Sequence, residues 1–76
     1  MNSYIITVEH CAAKHSMLAA NGIDCIKAFY DEHPKYFAGD DATYLVLLRE
    51  SSKISIRYLV YTRSKPIKIE LIGAIH

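Results

Sequence analysis

The side chains that could support metal chemistry lie in the first third of the chain: His10, Cys11, His15 and Cys25. Zinc sites need four ligands that converge tetrahedrally, usually in pairs with short, fixed spacing. His10 and Cys11 are neighbours, and neighbouring residues of an extended strand point to opposite faces, so the two are poorly placed to bind one ion. We therefore predict structural or surface roles for all four residues and no metal site.

Two further combinations resemble catalytic sets: Cys25 with His15 or His33, and the carboxylate pair Asp40 and Asp41. A thiolate nucleophile needs a pKa that is lowered by a helix N-terminus or a cation. Cys25 instead falls on the apolar side of a predicted helix, where burial raises the pKa of a thiol. Adjacent aspartates in a glycine-containing loop are typical of turns. The sequence also lacks a phosphate-binding glycine motif and a nucleophile elbow, so we expect no enzymatic activity and no cofactor.

The elements that position these residues begin with one helix, for which residues 21–34 mark both ends. Asn21 is a favourable N-cap, and Asp24 lies where a carboxylate interacts with the free amide groups of the first turn. Pro34 disfavours helical angles at His33 and predicts the end of the helix there. Apolar side chains recur at intervals of three and four along one side: Ile23, Cys25, Ile26, Phe29 and Tyr30. A helix this short is marginal alone, so we expect this side to pack on other elements.

The first strand is predicted over residues 3–10, which are rich in β-forming side chains. Residues 15–20 are ambiguous, because their propensities favour a helix over residues 12–20, whereas the N-cap at Asn21 needs an extended approach. A short second strand that forms a hairpin with the first is the favoured interpretation, and the helix is the alternative.

Three more strands are predicted after the helix, at residues 42–50, 54–63 and 67–75. The links between them have hairpin length, which predicts an antiparallel meander. The preceding residues 35–41 contain Gly39 and are expected to form a loop that brings Tyr36 or Phe37 to the core. The sequence thus predicts a single small α+β domain with the order ββαβββ, a four- or five-stranded antiparallel sheet and one helix packed on one face.

Length and composition indicate one globular domain. The 76 residues are 51% apolar and 22% charged, which is typical of globular proteins, and no apolar run approaches the roughly 20 residues that cross a bilayer. The first residues lack the pattern of a secretory signal, so we expect a soluble, cytoplasmic protein with no membrane partner. Two cysteines without a CxxC spacing favour reduced thiols, and a disulfide between Cys11 and Cys25 is the alternative.

The net charge of +1 conceals two halves of opposite sign. Residues 1–41 contain three lysines and six carboxylates, a net charge of −3. Residues 42–76 contain six lysines and arginines and two glutamates, a net charge of +4. Such polarity can join the two halves within the fold or steer a charged partner to one side.

One helix covers only one face of the predicted sheet. In the predicted strand at residues 54–63, every second side chain points to the same face. If Tyr58 and the residues two positions away face the helix, the side chains between them lie on the other face. The third strand contributes to this second face either Leu45 and Leu47 or Tyr44 and Val46. A mixture of apolar, tyrosine and cationic side chains is typical of a protein interface. The predicted partner-binding residues are Arg57, Leu59, Tyr61, Arg63, Lys68 and Ile72.

Two alternatives to a protein partner stay open. Arg57, Tyr61 and Arg63 combine a stacking ring with cations, as in proteins that bind single-stranded nucleic acid, although a net charge of +1 is low for that class. The second alternative is a structural homodimer that meets its mate through the sheet face or an edge strand.

The first half of the chain resembles small proteins from phages and mobile elements. A strand SYIITVEH, a short second strand and the capped segment NGIDCIKAFYDEHP are similar to the opening of such proteins, and small anti-CRISPR and other host-takeover inhibitors share this size and α/β build. The resemblance covers residues 3–34 and concerns the fold, not an active site. It implies a non-enzymatic inhibitor that occupies a surface of a larger host complex. The basic C-terminal strands differ from the strongly acidic inhibitors that mimic DNA.

Overall fold

In the computed structural model, which describes residues 1–39 and 41–75, five antiparallel strands form one sheet with one α-helix on one face. The strands are β1 (Asn2–Val8), β2 (Ala13–Ala19), β3 (Ala42–Arg49), β4 (Ile54–Tyr61) and β5 (Lys68–Ile75), and they lie in the order β2-β1-β3-β4-β5. The helix α1 spans Gly22–Glu32 and is followed by a short 3-10 helix, Pro34–Phe37. The predicted α+β class and the order ββαβββ are confirmed.

Both ends of α1 lie where the sequence predicts them. The side-chain oxygen of Asn21 accepts a hydrogen bond from the Asp24 backbone N–H at 2.9 Å, which satisfies one of the free donors of the first turn. At the other end, the His33 N–H donates to the Phe29 carbonyl at 2.8 Å. Pro34 follows directly and stops the α-helix, because it has no N–H to continue the ladder.

The buried side of α1 is narrower than the apolar stripe of the sequence. Cys25, Ile26 and Phe29 are buried and form its centre. Ile23 was expected to be buried, but 38% of its surface is exposed. Tyr30 is only partly buried. The two lie on the same flank of the helix, at the border of the buried side, and the Tyr30 ring is partly covered by Phe37, with ring centres 5.1 Å apart.

Residues 13–19 form a strand and not a helix, which confirms the favoured interpretation. β2 pairs with β1 in antiparallel register from Asn2 opposite Ala19 to Val8 opposite Ala13. The turn between them contains Ala12 with a φ of 55°, and its N–H donates to the Val8 carbonyl at 2.8 Å. The strand forms because seven residues pair with β1 and one side of β2 is half-buried or buried, which outweighs the local helix propensity.

The face of β3 that lies under α1 carries Leu45 and Leu47, both buried. Tyr44 and Val46 therefore lie on the opposite face, which resolves the choice that the sequence left open. The prediction that the segment after the helix brings Tyr36 or Phe37 to the core is also confirmed, because Phe37 is buried there. The segment 35–41 was predicted as a loop, but its first residues belong to the 3-10 helix.

The two cysteines are free thiols: Cys11 is exposed and Cys25 is buried, so the structure does not contain the disulfide alternative. Within the residues that the structure describes, no helix has both the length and the apolar character needed to cross a membrane.

Candidate protein-binding face

The sheet has one face that α1 does not cover, which we call the open face. Directly paired residues of antiparallel strands point to the same side of a sheet, so the register defines this face. Its apolar and aromatic members are Ile5, Leu18, Tyr44, Val46, Leu48, Leu59, Tyr61 and Ile75. They extend over all five strands, because Ile5 pairs with Leu48 and Tyr44 pairs with Leu59.

The members of the open face differ in exposure. Leu18 on the outer strand β2 is 66% exposed and Tyr44 on β3 is 39% exposed. The side chains in the middle of the sheet, such as Val46 and Leu59, are half-buried, because their neighbours on adjacent strands cover part of them. The open face is thus a continuous apolar surface on which no other part of the described chain is packed.

Arg57 crosses the open face at one end. Its Nε donates to Glu9 Oε2 at 2.7 Å and its Nη2 donates to Glu9 Oε1 at 3.1 Å, so the carboxylate is bound through both oxygens. The guanidinium carbon lies 3.8 Å from the centre of the Tyr44 ring. The hydrogen bond to Glu9 raises the pKa of Arg57 above its usual value. Strands β3 and β4 and the residue after β1 thereby contribute to one arrangement of a cation, a carboxylate and a ring.

A second polar arrangement lies at the edge of the same face. The Tyr61 hydroxyl donates to Glu70 Oε2 at 2.9 Å, and this hydrogen bond raises the pKa of Tyr61. Lys68 pairs directly with Tyr61, and its Nζ lies 5.5 Å from the centre of that ring. Two charged groups therefore lie near Tyr61. The Glu70 carboxylate accepts the hydrogen bond of its hydroxyl, and the Lys68 ammonium lies beside its ring.

Four of the six predicted partner-binding residues are brought together on the open face: Arg57, Leu59, Tyr61 and Lys68. Arg63 was expected on the same strand, but β4 ends at Tyr61 and Arg63 binds Asp41 instead, with Nε 2.6 Å from Oδ1. One more hydrogen bond to the β3 side follows, from the Thr62 N–H to the Asp41 carbonyl at 3.1 Å, and the chain bends over residues 62–66.

Ile72 occupies an irregular position in β5. Arg57 pairs with Gly73 and Tyr58 pairs with Leu71, so Ile72 is an extra residue without a partner opposite. Such a bulge breaks the strict alternation that the sequence analysis assumed. Ile72 is exposed, but the regular register does not place it among the open-face residues.

Several residues of the open face were missing from the predicted set. Tyr44 and Val46 were one of two options for β3, and the continuous apolar run of that strand gave no period to choose between them. Glu9 carried no signal of its own, because its partner Arg57 lies 48 residues away in the sequence. The opposite charges of the two halves were the one available hint.

Ion pairing joins the two oppositely charged halves of the chain. Glu9 and Asp41 belong to the acidic half, and their partners Arg57 and Arg63 belong to the basic half. Among the described residues these are the two carboxylate–cation contacts within 4.0 Å. Part of the charge polarity is thus used inside the fold.

Three side chains that were considered for metal or catalytic chemistry, those of His15, Cys25 and His33, pack in the core or against other rings. Burial raises the pKa of Cys25 to about 11, so its thiol is protonated at neutral pH. His15 Nε2 lies 3.1 Å from the Tyr36 hydroxyl, and its ring centre lies 4.6 Å from that of His33. In residues 1–39 and 41–75, no three His, Cys, Asp or Glu side chains lie together as a metal site requires. Asp40, from the predicted carboxylate pair, lies outside the described residues.

No family model, curated protein or solved structure matches this chain.

Proposed function

We propose that this protein is a non-enzymatic protein-binding module and that the open face is its binding surface. The observation that carries the proposal is the apolar surface across five strands, opposite the helix, with half-exposed tyrosines and with Arg57 bound to Glu9 over the Tyr44 ring. Interfaces are enriched in tyrosine and arginine and bury an apolar centre inside a polar rim. The open face has this composition without needing any rearrangement of the fold.

The charges of the open face indicate what a partner presents. Lys14 on β2 pairs with Thr7, which places it on this face, and Lys68 lies at the other edge beside Tyr61. Arg57 is already bound to Glu9 and offers little net charge. We infer a partner with an apolar patch that is flanked by acidic side chains. The resemblance of residues 3–34 would place that patch on a host complex blocked by a phage inhibitor.

Nucleic-acid binding is the second candidate, and the pairing of the arginines weakens it. Arg57 and Arg63 were the cations that motivated it, and both are bound to carboxylates. A backbone phosphate would have to compete with Glu9 and Asp41 for these guanidinium groups. A homodimer through the open face is the third candidate and predicts self-association with no other partner.

The test is an affinity capture from bacterial lysate with and without nuclease treatment, in parallel with light scattering of the purified protein. Wild type is compared with the double variant Leu59→Ser/Tyr61→Ser, which makes the open face polar. The matched control is Leu71→Ser, because Leu71 is 60% exposed but lies on the helix side of the same hairpin. Circular dichroism checks that each variant is folded, and Tyr61→Ser alone replaces the double variant if that variant unfolds.

We expect a protein partner that wild type and Leu71→Ser retain in near-stoichiometric amounts and that the open-face variant loses. A partner retained equally by the folded open-face variant would overturn the proposal. A partner lost on nuclease treatment would assign nucleic acid instead, and light scattering that shows dimers with no captured protein would assign the homodimer.

A further inference from the structure

A cleft of about 260 Å³ lies on the other side of the sheet, between the first turn of α1 and the β3–β4 hairpin. Leu47 and Ile56, which are paired across β3 and β4, form its apolar floor. Gly22 lines it from the helix, and Ile54 and Arg49 line it from the hairpin. The cleft exists because α1 packs mainly against β2 and leaves the helix side of this hairpin partly uncovered. Its volume approaches the lower end of small-molecule sites, roughly 300 Å³.

Tyr58 brings a hydroxyl to this cleft. Tyr58 is 7% exposed, and it lines the cleft. A Cβ added to Gly22 would lie 2.8 Å from the Tyr58 hydroxyl oxygen, so the hydroxyl lies against the start of α1, and a larger residue there would have to displace it. Burial raises the pKa of Tyr58, and the hydroxyl keeps its proton as a donor. The hydroxyl is thus a hydrogen-bond donor at the wall of the cleft, where an occupant can accept from it.

The charge of the cleft is positive. Arg49 donates through Nη2 to Asn2 Oδ1 at 3.0 Å, which leaves its remaining N–H donors free of any carboxylate in the described part of the chain. No acidic side chain is among the described residues that line the cleft. The start of α1 contributes the positive end of the helix dipole beside Gly22, and the Asp24 carboxylate of the first turn offsets part of it. An occupant with one negative charge therefore meets the Arg49 guanidinium on one side and the Tyr58 hydroxyl, beside Gly22, on the other.

We propose that this cleft binds a carboxylate attached to a branched apolar group, with the carboxylate between Arg49 and the start of α1 and the apolar group on Leu47 and Ile56. Two sources present this chemistry: a free branched-chain acid, and the C-terminus of a peptide that ends in leucine. The site lies on the opposite side of the sheet from the open face, so it does not depend on the function proposed above.

The test is an NMR titration of the full chain that follows the backbone amides of Gly22, Ile54 and Ile56. The probes are isocaproate, its uncharged analogue isocaproamide, and a short acetylated peptide ending in leucine with either a free or an amidated C-terminus. The variants are Arg49→Gln, which removes the charge, and Tyr58→Phe, which removes only the hydroxyl. Lys27→Gln is the matched control, because Lys27 is an exposed cation of α1 that does not line this cleft.

We expect saturable shifts with isocaproate that weaken by about tenfold or more in Arg49→Gln, weaken several-fold in Tyr58→Phe and persist in Lys27→Gln. Isocaproamide should bind at least about tenfold more weakly, because a charged acceptor contributes more than a neutral one. Tighter binding of the free-carboxylate peptide than of isocaproate would identify a protein C-terminus, and equal binding a small acid. The proposal is wrong if neither acid gives saturable shifts, or if folded Arg49→Gln binds isocaproate as tightly as wild type.

Discussion

Arg57 and Glu9 lie 48 residues apart in the sequence and bind each other through two hydrogen bonds of 2.7 and 3.1 Å. The guanidinium reaches from β4 over the Tyr44 ring on β3 to the residue that follows β1. This contact links the end of the first strand to β3 and β4, in addition to the ladder that pairs β1 with β3. It also sets the shape and charge of one end of the open face.

A double-mutant cycle tests this contact. Arg57→Gln and Glu9→Gln should each lower the free energy of unfolding, and the double variant should lose less than the sum of the two, because either change alone already breaks the pair. The coupling should shrink in 1 M NaCl, since both side chains are partly exposed and salt screens them (Debye length about 3 Å). Urea unfolding at low and high salt measures it. Additive losses at low salt would show that the pair contributes no coupling.

The N-cap of α1 gives a second prediction. Asn21→Ala removes the acceptor of the Asp24 N–H and should cost about 1 kcal/mol of unfolding free energy. In a domain of this size that corresponds to a fall in Tm of roughly 4–8 °C. Asn21→Ser is the control, because serine can make the same hydrogen bond and should retain most of the stability. Equal losses in both variants would mean that the asparagine acts by another contact.

From the raised pKa of the Cys25 thiol we expect the folded protein to lose stability at alkaline pH. Its pKa is about 11 in the folded protein against an ordinary value of 9.0, so the folded state holds the proton more tightly. The resulting stability is complete below pH 9 and is lost as the pH rises from 9 through 11. The loss should be on the order of 2 kcal/mol. Denaturant unfolding from pH 8 to 11 measures it.

Cys25→Ala supplies the comparison for that profile. The variant should be less stable than wild type at pH 8 and should show a flatter decline above pH 9, with the tyrosines accounting for what remains. In wild type the exposed Cys11 should react with iodoacetamide in the native state while Cys25 stays protected. Identical pH profiles in the two proteins would show that Cys25 does not titrate differently on folding.

The buried hydroxyl of Thr43 suggests a substitution that should stabilise the protein. It is 2% exposed on the helix side of β3, and its Oγ1 has no hydrogen-bond partner among the described residues. Thr43→Val keeps the shape and removes the unpaired hydroxyl, so it should raise the unfolding free energy by about 1 kcal/mol. Thr7→Val, at a half-buried position on the open face, should change it little. A less stable Thr43→Val would mean that the hydroxyl has a partner in solution.

The elements of the fold could be predicted because their signals are local. The Asn21 cap and Pro34 set the ends of α1 through neighbouring residues, and short links specify the hairpins between the last three strands. The site was only partly predictable. Arg57, Leu59 and Tyr61 follow from alternation along β4, whereas Arg63 and Ile72 were misplaced because the strand ends early and β5 contains a bulge.

By itself, the sequence determined the class of the fold, the position of the helix and the burial of Cys25, since each depends on residues within a few positions. Only the tertiary structure decided which side of β3 faces α1, how Glu9 meets Arg57, and that Gly22 lies against the Tyr58 hydroxyl. Each of these results from strand register or from contacts between residues far apart in the chain. Such contacts form only when the sheet and helix pack together, and no local pattern of side chains specifies them.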